Sequence, residues 1–136
     1  MRYKWLNREE NNKLILFFNG WGMDENIVKH LDCETYDVLM FYDYNTLETD
    51  FDFDSLSIYS EKNIIAWSMG VMIGSKLAPS LTLPLGERKS LYNKILISDN
   101  DKIIPTKSQV AFWGIEPNLK SGHCPFFQFK KWSELL

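Results

Sequence analysis

Apolar residues in this chain come in short unbroken runs rather than one long periodic stretch. Residues 14–18, 37–42, 63–67 and 94–98 are rich in β-branched and aromatic side chains and show little alternation with polar positions. Strands covered on both faces, as in a parallel sheet, have this pattern. Residues 2–6 give a weaker strand signal. A polar, Asn-rich stretch joins them to residues 14–18, so the two are expected to pair as an antiparallel hairpin. Asp24 stands where it would cap a short helix over 26–31, and 43–54 read as loop with room for one helical turn. A helix is expected from 69 to about 77, with Gly70, Gly74 and Ala78 along one narrow side and Pro79 ending it. Residues 81–85 read as a short strand, 87–93 as a helical turn and 106–113 as a helix capped by Thr106. Residues 117–120 read as a last strand and 126–136 as a closing amphipathic helix. Strands alternating with helices predict an α/β fold: a three-layer sandwich around a mostly parallel sheet, with the antiparallel hairpin at one edge, in one domain over 1–136.

The turn after the third run carries the strongest chemical signal. Ile64-Ile65-Ala66-Trp67-Ser68-Met69-Gly70-Val71 reads as strand, sharp turn and helix with a serine at the apex. Small residues stand two positions either side, which is the small-x-Ser-x-small form of a nucleophile elbow. The turn forces the serine into strained backbone angles, and larger flanking side chains would strike the neighbouring strand and helix. In open α/β sheets the working residues gather where strands end at their carboxyl side. Residues 19–23, 42–45, 67–70 and 98–101 leave such ends.

A serine hydroxyl becomes nucleophilic when a base takes its proton, and that base needs an acid to orient it. His123 is the base candidate, in the turn Ser121-Gly122-His123-Cys124-Pro125, while His30 reads as structural. Asp101 leads as the acid, one turn past the 94–98 run, with Asp99 as the fallback. The order Ser, Asp, His matches the α/β-hydrolase arrangement. For the oxyanion, Met69 supplies one backbone donor at a helix N-terminus. Trp21, between Gly20 and Gly22, supplies the second, its indole walling an acyl pocket.

Composition narrows the picture further. At 136 residues, 45% of them hydrophobic and 15% aromatic, the chain is long and apolar enough for one well-buried core and is not a disordered segment. The apolar runs are too short for a membrane span, and residues 1–12 hold no export-signal core, so a cytoplasmic setting is expected. Cys33 and Cys124 then read as free thiols, and two Cys with two His show no metal-ligand spacing. The net charge of −3 is uneven: residues 1–60 carry 5 Lys/Arg against 12 Asp/Glu, and 61–136 carry 10 against 6. Nothing in this points to nucleic acid. Arg88, Lys89, Lys94 and Lys102 could face an acidic partner if they cluster.

Several stretches together carry a family resemblance: Phe17-Phe18-Asn19-Gly20-Trp21-Gly22-Met23-Asp24, Met40-Phe41-Tyr42-Asp43-Tyr44, the elbow octapeptide, Ser98 to Pro105 with Phe112-Trp113, and Gly122-His123-Cys124-Pro125-Phe126. In this order they resemble the BioG-type pimeloyl-carrier-protein methyl ester esterases, an α/β-hydrolase family of biotin precursor synthesis. The resemblance implies Ser68, Asp101 and His123 as a triad and the amides of Trp21 and Met69 as the oxyanion hole. Trp21, Trp67 and Tyr44 are expected around the substrate. The implied partner is an acyl carrier protein bearing a pimeloyl methyl ester, with no cofactor, metal, nucleic acid or membrane. The implied reaction is hydrolysis of that ester through an acyl-enzyme. Only residues 79–93 stand where the family has a further strand and a long helical lid, so the chain reads as a lid-deleted member, with a promiscuous short-chain esterase or an inactive hydrolase-fold binding module as the alternatives.

Overall fold

The run Leu14–Phe18 is wholly inaccessible to solvent, and the sheet is built outward from it. In a computed structural model that describes residues 1–81, 92–98, 110–112, 126 and 129–136, six strands form one sheet: β1 (Arg2–Asn7), β2 (Lys13–Phe18), β3 (Tyr36–Tyr42), β4 (Glu61–Trp67), β5 (Tyr92–Ser98) and β6 (Val110–Phe112). Their order is β1-β3-β2-β4-β5-β6. All neighbours are parallel except β1 and β3. This is a mixed α/β fold around a mostly parallel sheet.

Alternation along the central strands sorts side chains onto two faces. Leu14, Leu16, Phe18, Leu39, Phe41, Ile64 and Ala66 meet Val71 and Ile73 of helix α1 (Met69–Leu81) on one face. Ile15, Phe17, Val38, Met40, Ile65 and Trp67 meet Val28, Leu31, Phe126, Trp132 and Leu135 on the other. The sheet is therefore covered on both sides, as its apolar runs require.

Four expectations about elements are corrected. First, β1 pairs with β3 rather than forming a hairpin with β2, because both edges of β2 are already taken by its parallel neighbours β3 and β4. Second, α1 continues past Pro79 to Leu81; proline late in a helix forfeits one bond without ending the last turn. Third, Val110–Phe112, expected as helix, is an edge strand on β5, where β-branched and aromatic residues fit the pleated surface.

Fourth, the closing helix over 126–136 does not form among the described residues. Lys131 is extended and bridges Asp32, and Trp132–Leu135 is a 3-10 turn. Phe126, Trp132 and Leu135 bury at intervals of three or six, a spacing that suits 3-10 turns better than a 3.6-residue helix. Elsewhere, Asp24 does cap, accepting from the Asn26 amide, but the helix it starts is a 3-10 turn over Glu25–Ile27. A second 3-10 turn, Phe53–Ile58, follows the acidic loop. Leu81, expected in a strand over 81–85, ends α1, and Tyr92 and Asn93, expected in a helical turn over 87–93, begin β5; the rest of those two features, with 106–109 and 117–120, lies outside the described residues.

Candidate active site

The chain leaves β2 for β3 on one side and leaves β4 for β5 on the other, so the connections diverge above β2 and β4. Such a switch point opens a crevice at the carboxyl ends of the strands. Phe18 pairs with Ala66 and Trp67 with Ser98. The loop after β2 and the turn after β4 therefore start level with each other.

Ser68 has φ of +53°, in the left-handed region, between the end of β4 and the start of α1. That conformation disfavours a residue with a Cβ by roughly 1–2 kcal/mol. Surrounding packing sustains it. A Cβ at Gly70 would lie 2.1 Å from the Phe18 carbonyl oxygen and 2.5 Å from that of Asn19, so α1 begins in direct contact with the end of β2. Met69 is the first residue of α1, where the N–H has no intrahelical acceptor and the helix dipole is positive.

The loop facing this turn is ordered by its own hydrogen bonds. Met23 N–H donates to Gly20 C=O at 3.3 Å, with Trp21 and Gly22 at the corners and Gly22 at φ +68°, the positive φ that a type II turn needs at its third position. Trp21 is 57% exposed. Among the described residues its amide finds no acceptor.

Two residues expected around the substrate are buried. Trp67 is 1% exposed; its ring lies under Gly20 and edge-on to Phe126 at 5.5 Å. Strand alternation sends it to the face opposite Ala66, so its indole supports the loop from below and is closed to a substrate in this structure. Tyr44 is buried, and its hydroxyl lies 2.9 Å from both the Asn19 and Phe41 carbonyl oxygens. Burial pushes this phenol far above its ordinary range, so it stays a donor. A cleft of about 340 Å³ opens on the β3 side of the loop, between Trp21, Met23 and Asp24 and residues Tyr42, Asp43 and Tyr44.

Asp101, Asp99, His123 and Cys124 lie outside the described residues, as do Arg88, Lys89 and Lys102. Phe126, three residues after His123, is fixed against Phe17 and Trp67, and its carbonyl is 3.1 Å from His30 Nε2. Cys33 is a free thiol, and burial raises its pKa. Among the described residues no group of His, Cys, Asp and Glu could hold a metal, and no helix is long and apolar enough to cross a membrane.

Asn19 also belongs to this loop's framework; its signal in the sequence is an amide side chain preceding glycine at a strand end.

Comparison with known proteins places this geometry. Residues 1–85 match the family described as "Pimeloyl-ACP methyl esterase BioG". A Bacteroides fragilis protein named malonyl-[acyl-carrier protein] O-methyltransferase is 38% identical over 91 residues, 67% of this chain and 18% of that protein. An uncharacterized Haemophilus influenzae protein is 40% identical over 75 residues, 54% of this chain and 34% of that one. The crystal structure of BioG from Haemophilus influenzae is similar with a TM-score of 0.53 and 32% identity, covering 74% of this chain and 44% of that one. The chain thus spans less than half the length of each of these relatives. The relative matched over two-thirds of this chain is named for adding a methyl group to a carrier-protein substrate. That name overturns the expectation that the chain hydrolyses the pimeloyl-carrier-protein methyl ester. Both names are those of enzymes with acyl-carrier-protein substrates, and by its match over residues 1–85 the chain belongs to the BioG family.

Proposed function

We propose that the chain carries a serine-hydrolase site, in an α/β-hydrolase-like core, for an acyl group borne by an acyl carrier protein. The observation that carries this reading is the left-handed φ of +53° at Ser68, held at the switch point by the contact of Gly70 with the end of β2. Strained non-glycine positions cluster at functional sites; Glu10, Glu34 and Asp43 share such angles, but Ser68 alone of the four stands between a central strand and the helix packed on the sheet. At an elbow the strain lifts the serine Oγ clear of the sheet.

In this reading Ser68 Oγ attacks the acyl carbonyl while His123 takes its proton and Asp101 orients the imidazole. The Met69 and Trp21 amides hold the oxyanion. His123 gives the proton to the leaving group; it then deprotonates a water that attacks the acyl carbonyl, and passes that proton to Ser68 Oγ as the acyl group leaves as a carboxylic acid. Phe126, three residues after His123 in sequence, packs on Trp67, the residue before Ser68, which supports His123 as the base. The exposed Trp21 indole stands where an acyl chain would enter.

The test is labelling with a fluorophosphonate probe, followed by incubation with acyl carrier protein loaded with a short acyl group. Wild type is expected to label at Ser68 and to release the acyl group, and Ser68→Ala to do neither. A folded wild type that resists the probe refutes the nucleophile. A labelled protein that leaves the loaded carrier protein intact refutes the substrate class.

A further inference from the structure

Asn19 is fully buried, and every polar atom it has is engaged. Its N–H donates to Phe41 C=O at 2.9 Å. Its carbonyl accepts from the Tyr44 hydroxyl at 2.9 Å. Its side-chain Oδ1 accepts from the Gly20 amide at 2.8 Å, and its Nδ2 donates to Asp24 C=O at 3.0 Å, with Met40 Sδ at 3.6 Å. One buried amide therefore stitches the start of the 20–24 loop to its end.

We propose that Asn19, held in place by Tyr44, is the positioning residue for the oxyanion hole, setting the Trp21 amide against the Ser68–Met69 turn. This rests on the reading of Ser68 as nucleophile. Two separate contacts lead to it. Within the loop, Asn19 Oδ1 occupies the Gly20 amide and the 20–23 turn occupies that of Met23, while the next amide after Gly20, that of Trp21, has no acceptor among the described residues and can serve a ligand. Across the crevice, the Asn19 carbonyl is one of the atoms against which Gly70 is pressed. A shift at Asn19 therefore displaces the loop and the elbow relative to each other. Tyr44 makes that shift difficult. Its hydroxyl shares one proton between the Asn19 and Phe41 carbonyls, at the adjacent ends of β2 and β3.

An oxyanion donor matters in the transition state more than in substrate binding, and losing one lowers turnover by about 10²–10³-fold. Displacing a donor without deleting it should have a smaller effect of the same kind. The experiment compares wild type, Asn19→Ala, Asn19→Asp and Tyr44→Phe on p-nitrophenyl butyrate. It measures kcat per fluorophosphonate-titrated Ser68, KM, inhibition by butylboronic acid and the urea midpoint. Asn19→Ala is expected to lower kcat by about 10–100-fold, to leave KM within about threefold, and to weaken the boronic acid in proportion to kcat. Asn19→Asp keeps the acceptor for Gly20 but loses the donor to Asp24, and should fall between. Tyr44→Phe keeps the ring, should fold even if Asn19→Ala does not, and is expected to lower kcat by about 3–10-fold.

Variants with a lower urea midpoint but wild-type kcat and boronic acid affinity would make Asn19 purely structural and overturn the proposal. If wild type itself neither labels nor turns over, the nucleophile reading fails first, and the positioning role with it.

Discussion

Adding one methyl group at Gly70 tests the elbow most directly. A Cβ there would lie 2.1 Å from Phe18 O, 2.6 Å from Phe18 C and 2.5 Å from Asn19 O, against ordinary carbon–oxygen contacts near 3.3–3.6 Å. The obstruction is main chain at the end of the central strand, and Phe18 is paired on both sides with Phe41 and Ala66. No rotamer relieves it, so α1 must move by about 1 Å. Overpacking of this kind costs about 1–3 kcal/mol or more, partly offset by up to about 1 kcal/mol of helix propensity gained by alanine. Because the obstruction is main chain the upper end applies, and the net expectation for Gly70→Ala is a loss of about 2 kcal/mol, or roughly 6–10 °C in Tm at this chain length. Gly74→Ala is the control. Its Cβ would meet the Phe18 ring at 3.0 Å and 3.2 Å and the Ala66 Cβ at 3.5 Å, and a side-chain ring can turn aside, so the change should stay within about 1 kcal/mol of wild type. Urea unfolding gives the stabilities, and the rate of fluorophosphonate labelling reports on Ser68. Gly70→Ala should slow labelling more than about tenfold, since a 1 Å displacement of a reacting group can lower rates about 10²-fold, while Gly74→Ala labels normally. Equal stability and equal labelling in the two variants would refute the contact between elbow and strand.

Two further tests use the strain at the elbow and the opposite end of the sheet. Ser68→Gly should be more stable than Ser68→Ala by about 1 kcal/mol in urea, because only glycine adopts φ near +53° without strain; an alanine variant as stable as the glycine variant would mean the strain is not there. Asp37 is fully buried at the start of β3, accepting from the amides of Glu9 and Asn11, the Asn11 side chain and the Tyr59 hydroxyl. Burial pushes its carboxyl up, but those hydrogen bonds outweigh it and hold the pKa below the ordinary value. Its stabilisation is therefore fully present above the unfolded pKa of about 3.9 and is lost as pH falls through the lower folded value. Asp37→Asn should flatten the acid limb of stability measured by urea midpoint between pH 5 and pH 2, and an unchanged limb would remove Asp37 from the account.

What the sequence made legible, and what it hid, divides along one physical line. The strands β2 to β5 and the strand–turn–helix around Ser68 are readable because their signals are local: apolar runs of strand length, and a turn residue flanked by small ones. Where a partner far along the chain decides, local pattern fails. The expected β1–β2 hairpin followed from a short connection, yet β2 has no free edge once β3 and β4 flank it. Val110–Phe112 tolerates helix or strand, and the exposed edge of β5 selects strand. The C-terminal apolar residues resemble a helix face until Asp32 takes the backbone at Lys130 and Trp132 into hydrogen bonds. Trp67 shows the same limit inside the site. The family resemblance implies a substrate contact for Trp67, but strand alternation points consecutive residues to opposite faces, and Trp67 packs in the core beneath the loop. Asn19 is the converse case: a polar residue at a turn looks like solvent-facing punctuation, and only the convergence of Phe41, Tyr44, Asp24 and Gly70 around it shows that an amide there can fix the geometry of two loops at once.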